Sequence, residues 1–279
     1  CFLIPGLISL DKNENIKPRQ GQRGLDSDIL CGWDNIREMH SSGVVDFQSH
    51  SMYHTQIFVS PVIEDFFYPG FDDYPYNFNI PLLRNNGVEN FSRETHLGTP
   101  IYKHASKFAG KRRYFDDQNL REYCVEYVHL NGGKDFFKIP NWRKKLFTKA
   151  QEFNNKHKNA GYFESEDEYK ENIFNDFSES KKAIEKQLPG KVVNHFCYPW
   201  WEGSESAVEE SKKAGYLSNY WGVFEDKRIN RAGDDPYKIS RILLDDYIFR
   251  LPGENRKSLF NIYQNRILGN FNNFVRKIV

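Results

Sequence analysis

Three stretches of this 279-residue chain carry helical periodicity, stop at a glycine and run straight into a short apolar segment. In the first, Trp33, Ile36 and Met39 recur at helical spacing, Gly43 stands where a helix would end, and Val44 to Gln48 reads as a strand. In the second, Tyr169, Ile173, Phe177 and Ile184 mark one face of a long amphipathic pattern over 164–188. Pro189-Gly190 closes it, and a strand over 192–198 follows, stopped by Pro199. The third runs from Ser204 to Ala214, takes Gly215 as its cap, and leads into a strand over 216–223, with a further strand over 239–244. Parallel strands need helical crossovers, so this alternation points to an α/β fold with a parallel sheet. We expect one barrel-like α/β domain, for which the length suffices.

Two regions break the pattern. Cys1 to Ile8 is apolar from its first residue and breaks at Pro5-Gly6, which reads as the end of a buried strand. Such a strand belongs inside a sheet, and the expectation is that a strand and a helix precede it. Residues from 60 to about 140, within a stretch of about 60–160 set apart from the αβ pattern, fit no clean period and contain Pro61, Pro69, Pro75, Pro81, Pro100 and Pro140. A structureless stretch of that length is improbable in a compact domain, so it is expected to be an insertion with short elements of its own. Its expected place is near the C-terminal rim of the barrel, with a helix over 120–130.

Composition removes several function classes. Lys and Arg number 39 against 38 Asp and Glu, so no global field points to nucleic acid or a membrane surface. Cys1, Cys31, Cys124 and Cys197 are widely spaced and form no CxxC pair, which argues against a zinc ribbon or a disulfide scaffold. No apolar run reaches the roughly 18 residues needed to span a bilayer.

The strongest local chemistry is His50-x-x-x-His54, immediately after the first αβ unit. Two histidines four apart on a helical turn share one face and can bind one metal ion. Sites in parallel α/β folds lie beyond the C-terminal ends of strands, which is where this pair falls. Other residues read as structural. His195 is expected to be a hydrogen-bonded core histidine. Asp72-Asp73 and Asp116-Asp117 read as solvated turns, Lys111 to Arg113 and Arg143 to Lys145 as solvated faces, and Trp142 and Trp201 as core.

The segment from Trp33 to His54, with its helix, short strand and His50-Ser51-Met52-Tyr53-His54, resembles the NodB homology domain of polysaccharide deacetylases, carbohydrate esterase family four. Cys197-Tyr198-Pro199-Trp200, followed by Ala214-Gly215-Tyr216, resembles a second block of that family, and Cys1 to Pro5 resembles the strand after its first motif. The resemblance implies a distorted (β/α) barrel of the NodB type. It also implies metal-dependent removal of acetyl groups from N-acetylated sugars in a polysaccharide or oligosaccharide, outside the cytoplasm or at the cell envelope. His50 and His54 would be metal ligands, most simply for zinc, and Ser51 would steady their loop. Trp200 stands where relatives carry Tyr, and its backbone N–H would stabilise the oxyanion. Cys197 stands where many relatives carry an Arg that pairs with the catalytic base.

The pattern is incomplete. The Thr-Phe-Asp-Asp-Gly-like motif that supplies the base and the metal Asp has no counterpart in residues 1–10, so the domain reads as N-terminally truncated. Weak metal binding and little activity are expected of the chain as it stands. No histidine follows His195, and Asp245 is the candidate for the late acid. The alternative is a catalytically degenerate carbohydrate-binding domain on the same fold.

Overall fold

The computed structural model describes residues 1–8, 31–72, 79–91, 95–222, 224 and 230–241. In chain order its elements are β1 (Phe2–Leu3), α1 (Trp33–Ser41), β2 (Gln48–Ser49), β3 (Gln56–Phe66), β4 (Arg84–Asn85), β5 (Val88–Glu89), β6 (Pro100–Ser106) and β7 (Tyr114–Phe115). They continue with α2 (Gln118–Leu130), α3 (Trp142–Lys156), β8 (Tyr162–Phe163), α4 (Glu166–Gln187), β9 (His195–Cys197), α5 (Glu205–Lys213), β10 (Ser218–Trp221) and β11 (Ile239–Ser240). The protein is a mixed α/β chain with a five-stranded parallel sheet ordered β1-β2-β9-β10-β11.

The strands are shorter than the sequence pattern suggests. β2 begins at Gln48, not Val44, because Val44 is 85% exposed. The buried side chain of Gln48 continues the sheet where backbone pairing is short. Its Oε1 accepts from the N–H groups of Asn194 and His195, both at 2.9 Å. An aromatic core lies against the sheet and contains Phe47, Phe177, Phe196, Tyr198 and Tyr216, all nearly inaccessible to solvent. α4 supplies Tyr169, Ile173, Phe177 and Ile184 to it at helical spacing, as its apolar stripe requires.

Between β2 and α4 the chain forms a second set of layers. β3 pairs antiparallel with β6 through a register shift after Phe58. β4 and β5 form a hairpin closed by Asn86-Gly87, both at positive φ, as the tight primed turns demand. β7 pairs with β8, and α2 packs with α3 around Leu120, Cys124, Phe136 and Leu146. Phe108, just after β6, enters the aromatic core of the parallel sheet at 5.0 Å from Phe177 and 5.2 Å from Phe196.

Several residues expected at the surface are inside. Asp117 is buried as the N-cap of α2, accepting from Asn119 N, and also accepts from Ala160 N. Asp116 is buried against Arg121 at 3.0 Å. Asp72 is buried and accepts from Asn79. Arg113, expected on a solvated face, is buried and grips Glu89 with both Nη atoms. Trp201, expected in the core, is 52% exposed. Burial of these ions is tolerated because each has a partner. Among the described residues no helix is long and apolar enough to cross a membrane.

Candidate functional site

Because its strands run parallel, the sheet delivers the segments after β2, β9, β10 and β11 to one edge. His50 follows β2, Trp200 and Trp201 follow β9, and Arg241 follows β11.

His50 Nδ1 lies 2.6 Å from the carbonyl oxygen of Cys197. A carbonyl only accepts, so Nδ1 carries the proton and Nε2 keeps its lone pair. Burial holds the imidazole well below its usual range, at about 4; the Cys197 bond opposes this and the Arg241 charge adds to it. His50 is therefore neutral near pH 7, the form that ligates metals.

The loop to His54 is not the helical turn its spacing suggested. Ser51 and His54 both take positive φ, 69° and 51°. The fully buried Ser51 accepts from His54 N at 2.9 Å, and Asp176 on α4 accepts from Met52 N at 2.8 Å. These bonds close the loop so that the two imidazole rings still meet, with centroids 4.9 Å apart at 62°. No further His, Cys, Asp or Glu joins them in a group of three that could hold a metal ion among the described residues.

Trp200 packs its ring edge-on to His54 at 4.9 Å. Trp200 and Trp201 lie consecutively in the left-handed region, at φ 57° and 60°. Strain of this kind costs on the order of 1–3 kcal/mol per residue and persists only where neighbours fix it. Trp201 O accepts from Gly222 N, and any side chain at Gly222 would meet Trp201 Cβ at 2.8 Å.

Arg241 escaped the sequence reading. Its Nη1 donates to Cys197 Sγ at 2.6 Å, its Nη2 to Tyr198 O and its Nε to Trp221 O, both at 3.0 Å. Burial pushes the Cys197 thiol up to about 11, the Arg241 charge opposing, so sulfur is a neutral acceptor. The sequence carries Cys197 where an Arg was expected, and the structure brings a guanidinium to that thiol from β11. The sequence signal was that Arg241 lies within a stretch, 239–244, read as a strand of the parallel sheet. Asp245 lies outside the described residues. His195, read as a hydrogen-bonded core histidine, is hydrogen-bonded to Ser218 Oγ at 2.7 Å but only partly buried.

No family model and no curated protein matches the chain. Among solved structures it is similar to a de-N-acetylase from Aggregatibacter actinomycetemcomitans, at 17% identity and a TM-score of 0.44, over 94% of this chain and 62% of that one. It is also similar to the BpsB deacetylase domain from Bordetella bronchiseptica, at 14% identity and a TM-score of 0.41, over 81% of this chain and 54% of that one. The chain thus spans less than two thirds of the length of either.

Proposed function

We propose that this chain is a metal-dependent hydrolase that deacetylates N-acetylated sugars of an extracytoplasmic polysaccharide, on a distorted (β/α) barrel of the NodB type. The observation that carries the reading is the pair His50 and His54 at the C-terminal edge of a parallel sheet, with His50 Nδ1 bonded to a backbone carbonyl. That bond leaves Nε2 as the donor atom and fixes the ring, the arrangement that protein metal sites use. The two imidazoles fit a divalent ion such as zinc as two of its ligands. The ion would supply a polarised water for attack on the acetamido carbonyl.

The chain's own groups then have distinct tasks. Cys197 O orients His50, and Ser51 Oγ fixes the backbone at His54. The backbone N–H of Trp200 donates to the carbonyl oxygen as it gains charge. The exposed Trp201 indole offers a face on which a sugar ring can stack. Asp245 is the group assigned to protonate the leaving amine.

Residues 1–10 hold no counterpart of the Asp-Asp motif, so oligomer binding and acetate release are measured with N-acetylglucosamine oligomers on zinc-treated protein extended ahead of Cys1 by such a segment. Zinc-dependent acetate release that falls at least about tenfold in His54→Ala supports hydrolysis. Oligomer binding without release favours the alternative, a carbohydrate-binding domain on the same fold. Neither binding nor release overturns both.

A further inference from the structure

The end of the inserted strand β6 reaches back to the histidine loop. Ser106, Lys107 and Phe108 each contact a part of the parallel-sheet unit. Phe108 is seated in the aromatic core, 5.0 Å from Phe177 on α4 and 5.2 Å from Phe196 on β9. A ring fully buried in a close-packed core has little room to shift, so it anchors the backbone beside it. Ser106 N donates to Glu202 Oε2 at 3.0 Å, directly after the two left-handed tryptophans.

Lys107 meets the histidine loop by two routes, one on each side of His54. Its backbone N–H donates to Thr55 O at 3.2 Å. Its Nζ pairs with Asp176 Oδ2 at 3.1 Å, and the other oxygen of that carboxylate accepts from Met52 N at 2.8 Å. Asp176 is buried, and a buried carboxylate holds its charge and its direction only where a cation and hydrogen-bond donors meet it. Lys107 supplies that cation. The loop depends on such outside bonds, because Ser51 and His54 both lie at positive φ and keep that path only where neighbours fix it. Ser51 acts from within the loop, and Gly6 N donates to Met52 O at 2.9 Å from the end of β1. Lys107 acts from the inserted layers.

We propose that Lys107 is a positioning residue for the histidine pair: through Asp176 and Met52 it sets the His54 ring against the His50 ring. The inserted layers thereby help to build the site. That the paired rings serve a metal rests on the reading above; that they are held as a pair does not.

The test compares the full chain with Lys107→Met, Lys107→Arg and the Lys107→Met, Asp176→Asn double variant. Each substitution leaves the backbone bond to Thr55 possible and isolates the route through Asp176. The double variant removes both charges, so it leaves no buried ion without a partner even if Lys107→Met fails to fold. Two properties are read: zinc affinity by calorimetry, and, in metal-free protein, the nuclear Overhauser contact between the two imidazole rings by NMR. Lys107→Met and the double variant should bind zinc about tenfold more weakly, the low end for residues that orient metal ligands, and should lose the ring contact. Lys107→Arg should stay within about threefold of the parent and keep the contact. A lower melting temperature with unchanged zinc affinity and ring contact would make the ion pair purely structural and overturn the proposal. So would a Lys107→Arg variant no better than Lys107→Met. Loss of the ring contact in the two charge-removing variants, with no zinc binding even by the parent chain, would support the proposal and count against the metal reading alone.

Discussion

His50 makes the metal-free protein sensitive to acid. Its folded pKa, about 4, lies below the unfolded value of 6.5 because its ring is buried. The unfolded chain therefore takes up this proton first as pH falls. The full stability is present above about pH 6.5 and drains away toward pH 4, by roughly 3 kcal/mol for a shift of this size. Urea unfolding of metal-free protein across that window should show the decline, and His50→Asn should flatten it. An unchanged slope in the variant would mean that His50 is solvated. That His50 and His54 come together after a strand of the sheet was legible from their closeness in sequence and their place after an apolar run. Arg241 was not, because a parallel sheet joins Cys197 to a residue 44 positions later, and no local pattern encodes that contact.

Elements were legible where local rules act alone. α4 has a stripe of buried residues, and Ser165 and Glu168 complete a capping box at its start. Ser165→Ala should cost about 1 kcal/mol in thermal or urea unfolding, and a change within error would show that the helix is held by packing alone. Elements fixed by tertiary bonds were not legible. The acid pair at Asp116-Asp117 looked like a turn, yet Arg121 ties Asp116 to the β4–β5 hairpin through Asn85 Oδ1 and Arg84 O. Arg121→Ala leaves Asp116 buried without its cation and should destabilise by about 3–5 kcal/mol. A loss below about 1 kcal/mol would place Asp116 in solvent. The His50–His54 loop misled in the same way. Its spacing suits a helical turn, but bonds to Ser51 and Asp176 fix it in a non-helical path with two positive-φ residues.

At the scale of the molecule, the alternation of helix and strand announced a parallel α/β sheet, and the sheet carries the chemistry to one edge. The strands within it are too short for their ends to be read from apolar runs, since Gln48 and neighbouring polar groups supply part of the pairing. The account's central claim is that this edge binds a divalent metal through His50 and His54. Calorimetric titration of zinc into the protein at neutral pH, beside the His50→Ala, His54→Ala double variant, tests it most directly. The account predicts one zinc per chain and at least about tenfold weaker binding in the double variant. Equal affinity in the two proteins, with both folded, would contradict it.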